Sequence, residues 1–255
     1  MDWKVLLEQA PSGGMTYLGW LASGTMWTLL VSVFAWIIAF SLGSVLGVIR
    51  TTPLRIPRAI ATAYVEVFRN IPLLVQMFLW YFVMPEVVPE RIGTYLKQEL
   101  PNLVELSFAQ FSMWEFTAAV LCLGLYTASR VAEQVRAGIE SLPRGQTHAG
   151  LAMGYTLPQV YRYVLLPMAY RLIIPPMTSE FLTIFKNSST ALTIGVLELT
   201  AQSRQISEYT FKTFEAFTAA TLIYIVITLT VIYAMRWLEA RVAVPGYISQ
   251  AGGGH

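Results

Sequence analysis

The stretch WLASGTMWTLLVSVFAWIIAFSLGSVLGVI, Trp20 to Ile49, carries no charged residue. A helix that crosses a bilayer needs about 20 consecutive, predominantly apolar residues, so this stretch is long enough to span a membrane. The whole chain has the same character, because 55% of its 255 residues are hydrophobic and 13% are charged. A soluble domain usually carries about 25% charged residues. The sequence therefore predicts an all-α integral membrane protein.

Similar apolar segments recur along the chain, separated by polar ones. We predict one membrane domain with five spans, at about residues 20–49, 59–84, 114–140, 159–185 and 216–237. Segments 50–58, 130–162 and 236–241 hold nine arginines, whereas segments 85–115 and 186–215 hold five lysines and arginines together. Because basic residues concentrate on the cytoplasmic side, the arginine-rich segments are predicted to be cytoplasmic. This orientation places the N-terminus on the outer side and the C-terminus in the cytoplasm.

Two glycines four residues apart, Gly43 and Gly47, lie within the first predicted span. Small residues at this spacing let two membrane helices approach each other closely. We expect this face of the first span to pack directly against another helix.

A small, polar and glycine-rich segment, RGQTHAGLAMGYTLPQVYRYVLLP (Arg144–Pro167), follows the third predicted span. It is predicted to form a short cytoplasmic helix at about residues 145–157. Glycine in a helix interior costs about 1 kcal/mol relative to alanine. Gly150 and Gly154 therefore need a reason, and close approach to another surface is one. An ordinary surface loop is the alternative interpretation of these residues alone.

The start of the fourth predicted span carries a local signal. Thr156 is the predicted N-cap residue, and Gln159, three residues later, completes a capping box. Pro158 falls in the first turn, where a missing backbone N–H does no harm. The chain is thus predicted to leave the short helix, turn sharply and enter the fourth span.

The glycine-rich segment resembles the cytoplasmic signature loop of binding-protein-dependent ABC importer permeases. In that pattern a Glu-Ala-Ala start is followed by a glycine and then by an apolar–x–Leu-Pro ending. Gly154 stands at the glycine, and the VLLP at residues 164–167 forms the ending. The chain departs at the start, where the HAG at residues 148–150 replaces Glu-Ala-Ala, so one polar contact of the loop is lost.

Three further stretches are similar to the polar amino-acid uptake permeases, of the histidine/glutamate permease subfamily: YVEVFRNIPLLVQMFLWYFVMP (64–85), EQVRAGIESLPRGQ (133–146) and PPMTSEFLTIFKNSS (175–189). The resemblance covers about residues 20–240. It implies the type I ABC importer permease fold, with a cytoplasmic coupling helix that docks on an ATP-hydrolysing subunit. It also implies import of glutamate or aspartate, with another polar amino acid as the alternative.

The resemblance implies the partners of the chain and its place in the cell. The partners are a pair of ATPase subunits that hydrolyse ATP with Mg²⁺, a second and non-identical permease subunit, a periplasmic amino-acid binding protein, and the lipid of the bacterial inner membrane. The chain itself has no P-loop, because none of its four lysines follows a glycine. With His148, His255 and Cys122 as its only histidines and cysteine, it offers no set of residues for a metal site or a catalytic triad. Its net charge of +2 is too small to indicate a nucleic-acid partner.

The residues that the resemblance assigns to ATPase coupling lie in the short cytoplasmic helix and at the start of the fourth span. They are Gly145, His148, Ala149, Gly150, Gly154, Leu157 and Pro167. We expect them to form or shape the surface that contacts the ATPase subunit.

Several charged residues fall within the predicted spans. An ionisable side chain at the centre of a membrane helix costs about 2.5–3.5 kcal/mol, so it normally pairs or faces a cavity. Arg69 is three residues after Glu66 and can share a helix face with it, so a structural ion pair, or a side chain that extends to the membrane boundary, is one interpretation. Arg69 also precedes Asn70 and Pro72, and the backbone groups that a proline frees can line a polar path. A guanidinium at that point would bind a substrate carboxylate through two hydrogen bonds.

The predicted substrate path comprises Arg69, Asn70, Gln76, Glu180, Lys186 and Asn187. Lys186 supplies a second cationic group for a substrate with two carboxylates. Glu180 would either meet the substrate ammonium or pair with Lys186. Gln76 shares the face of Arg69 two turns further on, and packing against the partner permease is its alternative role.

Two other functions remain open from the sequence alone. An ion-coupled secondary transporter usually contains inverted repeats, and the five unequal segments show none. A membrane scaffold would not need prolines and charged residues within its spans, or a glycine-rich cytoplasmic helix. The ATP-driven importer is therefore the favoured function.

Overall fold

The computed structural model describes residues 1–11, 14–100 and 112–242. Within these ranges the regular secondary structure is helical, apart from one β-bridge between Gln9 and Thr16. The prediction of an all-α protein is confirmed. Part of the predicted polar loop, residues 101–111, and the C-terminal residues after 242 lie outside the described ranges.

The α-helices, numbered in chain order, are α1 (Tyr17–Thr51), α2 (Arg55–Asn70), α3 (Leu73–Phe78), α4 (Met84–Val87), α5 (Glu90–Thr94), α6 (Met113–Glu140), α7 (Arg144–Ala152), α8 (Leu157–Val160), α9 (Leu166–Asn187), α10 (Leu199–Thr210) and α11 (Thr213–Val242). π-Helical turns continue α3, α5 and α8, at Leu79–Val83, Tyr95–Glu99 and Tyr161–Leu165. Turns of 3₁₀-helix lie at Trp3–Leu7 and Ser188–Ile194. The chain is therefore helical without a break from residue 157 to residue 194.

Two of the described helices are long and apolar enough to cross a membrane by themselves, namely α1 and the part of α11 from Thr213 to Arg241. A third crossing results if Arg55–Asn70 and Leu73–Val87 form one broken span. Helices α6 and α9 coincide with the third and fourth predicted spans, but charged residues along both make them less apolar. The arrangement of five spans therefore stays a prediction.

The longest helix, α1, packs directly against α6 through the two glycines that the sequence singles out. A Cβ atom on Gly43 would lie 2.6 Å from Cβ of Val131, and one on Gly47 would lie 2.6 Å from Cβ of Val135. Real side chains do not approach this closely, so only glycine permits the observed separation of the two helices. The predicted close approach is confirmed, and its partner is α6.

The buried core lies around this helix pair. Leu21 and Val31 of α1 and Leu123 of α6 expose no surface, and they belong to one continuous apolar cluster. Because lipid is as apolar as these side chains, close packing rather than removal from water stabilises such contacts within a membrane.

The two ends of the helix bundle differ in charge. At one end, Arg50 in the last turn of α1 forms an ion pair with Glu133 of α6, with 2.6 Å between Nη1 and Oε2. At the opposite end, the Asp2 N–H donates to a carboxylate oxygen of Glu215 in the first turn of α11, at 2.7 Å. We call the end where Arg50, Arg69 and Arg136 surround Glu133 the arginine-rich end. It is the end that the positive-inside rule predicts to be cytoplasmic.

Candidate functional site

The short helix α7 ends in a motif that requires a glycine. The N–H of Tyr155 donates to the carbonyl of Gly150 at 3.2 Å, and the N–H of Gly154 donates to that of Leu151 at 3.0 Å. This pair of bonds is a Schellman motif, and the residue after the helix cap takes a left-handed conformation in it. Gly154 is that residue, with φ of +87°.

The prediction that Gly154 lies inside the helix is therefore wrong, whereas its close approach to the surface of a partner stays a prediction. The helix ends at Ala152, and nothing lies within 4 Å of the place where a Cβ on Gly154 would be. The glycine is needed because an L-residue pays a steric penalty of about 1–2 kcal/mol in the left-handed region.

For Gly150 the predicted close approach is confirmed, but the opposing surface belongs to the same chain. Gly150 is buried, and a Cβ on it would lie 2.9 Å from Cγ2 of Val160 at the end of α8. Gly150 thus holds α7 against the start of the following long helix. Gly145, in contrast, is exposed and has nothing within 4 Å of a Cβ position.

The turn between α7 and α8 has the predicted capping box. The Thr156 N–H donates to Oε1 of Gln159 at 2.8 Å, and the Thr156 side chain in turn accepts from the backbone at Gln159. Pro158 lies in the first turn of α8. This turn and the Schellman motif together fix the angle at which α7 leaves the bundle.

Helix α7 and the residues that follow it present apolar side chains to the outside. Leu151, Met153 and Tyr155 are 44%, 68% and 40% exposed. His148 and Ala149, also exposed, complete what we call the docking patch. These exposed side chains lie outside the predicted membrane spans, so they are available to contact another protein rather than lipid.

The two remaining coupling residues lie outside the docking patch. Leu157 is partly buried at the start of α8, and Pro167 is exposed in the first turn of α9. Pro167 follows the π-helical turn Tyr161–Leu165 within one continuous helical run.

The charged residues at the arginine-rich end form a network around Glu133 of α6. Glu133 pairs with Arg50 and Arg136, and Nη1 of Arg69 lies 3.5 Å from its Oε2. The pair between Arg69 and Glu66, one of the alternatives that the sequence leaves open, is therefore not formed. Instead, the side-chain amide Nδ2 of Asn70 donates to the backbone carbonyl oxygen of Glu66 at 2.7 Å.

Gln76 has a defined role at the break in the second predicted span. The chain bends by 106° between the helical segments Arg55–Asn70 and Leu73–Val87, because Pro72 has no N–H to continue the first helix. Nε2 of the buried Gln76 donates to the freed carbonyls of Phe68 at 2.8 Å and Ile71 at 2.9 Å. Gln76 thus satisfies the broken backbone from within the chain.

Glu180 of α9 forms a bidentate ion pair with Arg130 of α6. Its Oε2 lies 2.6 Å from Nε of Arg130, and its Oε1 lies 3.0 Å from Nη2. Glu180 is 5% exposed. Of the two alternatives that the sequence leaves open for Glu180, the pair with Lys186 is not formed, because Arg130 of another helix holds the carboxylate.

Lys186 instead lines a cavity of about 420 Å³ near the end of α9. The lining residues are Lys186, Ser189, Thr200, Thr221, Tyr224, Ile225, Thr228 and Leu229. One cationic residue and five residues with hydroxyl groups line it, but most of its surface is apolar. The hydroxyls of Ser189 and Thr221 donate to the backbone carbonyls of Lys186 and Phe217. The contribution of α11 has a signal in the sequence, because Thr221, Tyr224 and Thr228 recur at intervals of three and four residues in an otherwise apolar helix.

A buried carboxylate supports the wall of this cavity. Glu198 caps α10 by accepting from the N–H groups of Thr200 at 2.9 Å and Ala201 at 2.8 Å, and the Tyr224 hydroxyl donates to it at 2.9 Å. Burial raises the pKa of the Glu198 carboxyl, and these hydrogen bonds oppose the shift. The network fixes the orientation of Tyr224.

The six residues of the predicted substrate path do not come together at one site. Lys186 lines the cavity described above, whereas its neighbour Asn187 does not. Arg69 and Asn70 lie at the end of α2, Gln76 caps the helix break, and Glu180 is occupied by Arg130. The residues of the predicted path are therefore spread over separate places in the fold, and the path itself stays a prediction.

The family model of binding-protein-dependent transport system inner membrane components matches residues 39–244. The chain belongs to this family. The likeness that the glycine-rich segment and three other stretches indicate is thereby confirmed.

Relatives within the permease family are similar over nearly the whole chain. The glutamate/aspartate import permease protein GltJ of Escherichia coli strain K12 is 52% identical over 246 residues, which is 96% of each chain. The probable glutamine ABC transporter permease protein GlnM of Bacillus subtilis strain 168 is 33% identical over 84% of this chain and 89% of its own length.

Solved structures agree with this assignment. A crystal structure of an amino acid ABC transporter with histidines matches with a TM-score of 0.72 and 29% identity, over 88% of this chain and 95% of the other. The MetNI methionine ABC transporter, in an inward-facing conformation, matches with a TM-score of 0.64 at 21% identity, over 88% and 97% of the two chains, and supports the fold. The fold is that of a type I ABC importer permease.

Proposed function

We propose that the chain is the transmembrane subunit of an ATP-driven importer that moves glutamate or aspartate from a periplasmic binding protein into the cytoplasm. The observation that carries this proposal is the 52% identity, over 96% of both chains, to the glutamate/aspartate permease of Escherichia coli. The more distant relatives include a probable glutamine permease at 33% identity, so glutamine is the competing substrate.

Coupling to ATP uses the docking patch on α7. The helix joins the end of α6 to the start of α8, and its ends are fixed by Pro143 before it and by the Gly154 motif after it. A movement of α7 is therefore passed to two long helices at once. An ATPase pair that closes on ATP binding would shift the docking patch and thereby change which side of the membrane the substrate path faces.

The substrate path uses the 420 Å³ cavity beside Lys186. The Lys186 ammonium is exposed at the end of α9 and is the one cation that lines this cavity among the described residues. It would bind one carboxylate of an amino acid, which glutamate, aspartate and glutamine all carry. The choice of glutamate or aspartate over glutamine therefore rests on the 52% identity to the Escherichia coli permease.

The full assembly has two ATPase subunits, this permease, a second and non-identical permease, and a binding protein. This permease crosses the bacterial inner membrane five times, with its N-terminus outside and its C-terminus in the cytoplasm. The network of Arg50, Arg69 and Arg136 then faces the cytoplasm, as the positive-inside rule requires. ATP and Mg²⁺ are bound by the ATPase subunits, and this chain holds no cofactor.

The proposal is tested by expressing the chain with its neighbouring genes and purifying the complex in mild detergent. We expect an ATPase to co-purify, and its activity in proteoliposomes to rise at least fivefold with binding protein loaded with glutamate or aspartate. Binding protein offered glutamine instead should give no rise. Uptake driven by an ion gradient without an ATPase would contradict the proposal, and stimulation by glutamine alone would overturn the substrate.

Replacing Lys186 by methionine should lower glutamate uptake at least tenfold at subsaturating substrate. A hydrogen bond to a charged group contributes about 1.5–3 kcal/mol, which corresponds to a factor of ten or more. The measurement is radiolabelled uptake in proteoliposomes, with Lys186→Arg expected to keep most of the activity. Lys212→Met, which removes a lysine outside the cavity, is the matched control, and equal losses in both methionine variants would contradict the role of Lys186.

A further inference from the structure

We propose that the arginine-rich end contains an anion-binding site that takes a phosphate group. A polar cavity of about 560 Å³ opens there between α1, α2, the end of α6, α7 and the turn after α8. Its lining residues are Arg50, Thr51, Arg58, Ile139, Glu140, Leu142, Arg144, Thr147, Tyr161 and Leu165. Neither the docking patch nor the substrate path uses this cavity.

The charges that line the cavity are not balanced. Three arginines face one carboxylate, Glu140, and Glu140 is already paired with Arg136. Within residues 1–11, 14–100 and 112–242, no salt bridge within 4.0 Å is formed by Arg58 or Arg144. The cavity therefore carries an excess of positive charge that an anion would neutralise.

Arg50 supplies the most specific feature of the site. The residue is 7% exposed, and its Nη1 is held by Glu133. Its Nε is buried and has no hydrogen-bond partner among the described residues. A buried donor without an acceptor costs about 1–3 kcal/mol, and more for a charged group. Arg50 lines the cavity, and a ligand oxygen that entered beside its guanidinium would supply the missing acceptor.

The N-terminus of α7 adds to the positive potential. Arg144, its first residue, lines the cavity together with Thr147. Pro143 gives the helix no side-chain cap, and the first turn contains no acidic residue. The unsatisfied N–H groups and the dipole at such a helix end favour a bound anion.

A phosphate group matches these donors because it presents several charged acceptor oxygens at one point. Guanidinium groups bind phosphate through paired hydrogen bonds, and three of them converge here from different helices. Two sources of phosphate meet this end of the bundle when it faces the cytoplasm, namely a phospholipid headgroup and free phosphate. In either case the bound group would tie α1 and α2 to α7 and so restrict the movement of the coupling helix.

The test uses the purified full-length permease in detergent. Native mass spectrometry would measure retention of phosphatidylglycerol, and thermal unfolding would measure stabilisation by inorganic phosphate. We expect Arg58→Gln to weaken binding at least fivefold, because Arg58 is exposed at the cavity rim and its removal leaves the fold intact. Arg55→Gln removes the same charge from the same helix outside the cavity and should change binding less than twofold.

The outcomes separate the two sources of phosphate. Loss of phosphatidylglycerol in Arg58→Gln but not in Arg55→Gln, without an effect of inorganic phosphate, assigns the site to a lipid headgroup. A thermal shift by inorganic phosphate that Arg58→Gln removes assigns it to the free anion. If the unmodified chain binds neither probe, or if both variants lose binding equally, the site does not exist. None of these results depends on the transported substrate.

Discussion

Replacing Arg130 by methionine is expected to lower the free energy of unfolding by about 3 kcal/mol, because it leaves the buried carboxylate of Glu180 without its partner. Removal of one member of a buried ion pair costs about 3–5 kcal/mol. Arg130 keeps 39% of its side-chain surface exposed, so we take the lower end of that range. The measurement is thermal or detergent-induced unfolding of the purified permease, followed by size-exclusion chromatography.

The double variant Arg130→Met with Glu180→Met is the informative control. Two apolar side chains of similar volume leave no buried charge, so the double variant should recover most of the lost stability. If the double variant is as unstable as Arg130→Met alone, the ion pair is not the cause of the loss. Uptake by the double variant distinguishes two roles of the pair. If the pair is only structural, uptake returns together with stability. If its residues contact the substrate, stability returns but uptake does not.

Replacing Gly154 by valine is expected to reduce stimulated ATPase activity and uptake at least tenfold while the permease still folds. Valine at φ of +87° is strongly strained, so the Schellman motif would open and the docking patch would change direction. The fold should survive because a Cβ at this place contacts nothing within 4 Å. The assay compares co-purification of the ATPase with stimulated turnover in proteoliposomes.

Gly154→Asn is the matched control for this variant. Asparagine enters the left-handed region more readily than other non-glycine residues, so it should retain most of the coupling. Full uptake by Gly154→Val would contradict the role of the motif. A permease that no longer purifies would show that the motif serves folding rather than coupling.

The features that the sequence predicts correctly depend on neighbouring residues. The capping box of Thr156 and Gln159 needs only three residues in order, and it is present in the structure. The close approach at Gly43 and Gly47 follows from their spacing on one helix face, and it is also present. In each case the residues that determine the structure lie within one or two turns of the same helix, so their spacing in the sequence is enough to predict it.

Pairing between helices is one feature that the sequence leaves undecided. The pairs Arg69–Glu66 and Glu180–Lys186 are alternatives because their members lie close in sequence, but neither is formed. The partners are Glu133 and Arg130 on α6. A side chain on a helix meets the nearest charge in space, and in a bundle that charge usually belongs to another helix. No spacing rule within one segment contains this information.

The sequence by itself determined that this is an all-α membrane protein of the binding-protein-dependent permease family. The length of the apolar segments, the distribution of arginines and the glycine-rich segment can all be recognised in short stretches of the chain. Only the tertiary structure decided that Gly154 is a left-handed helix stop and that Lys186 lines a cavity walled by hydroxyls of α10 and α11. It also placed three arginines from separate helices around one cavity. These features arise because packing joins residues that are far apart in the chain, and their geometry exists only after the helices are in contact.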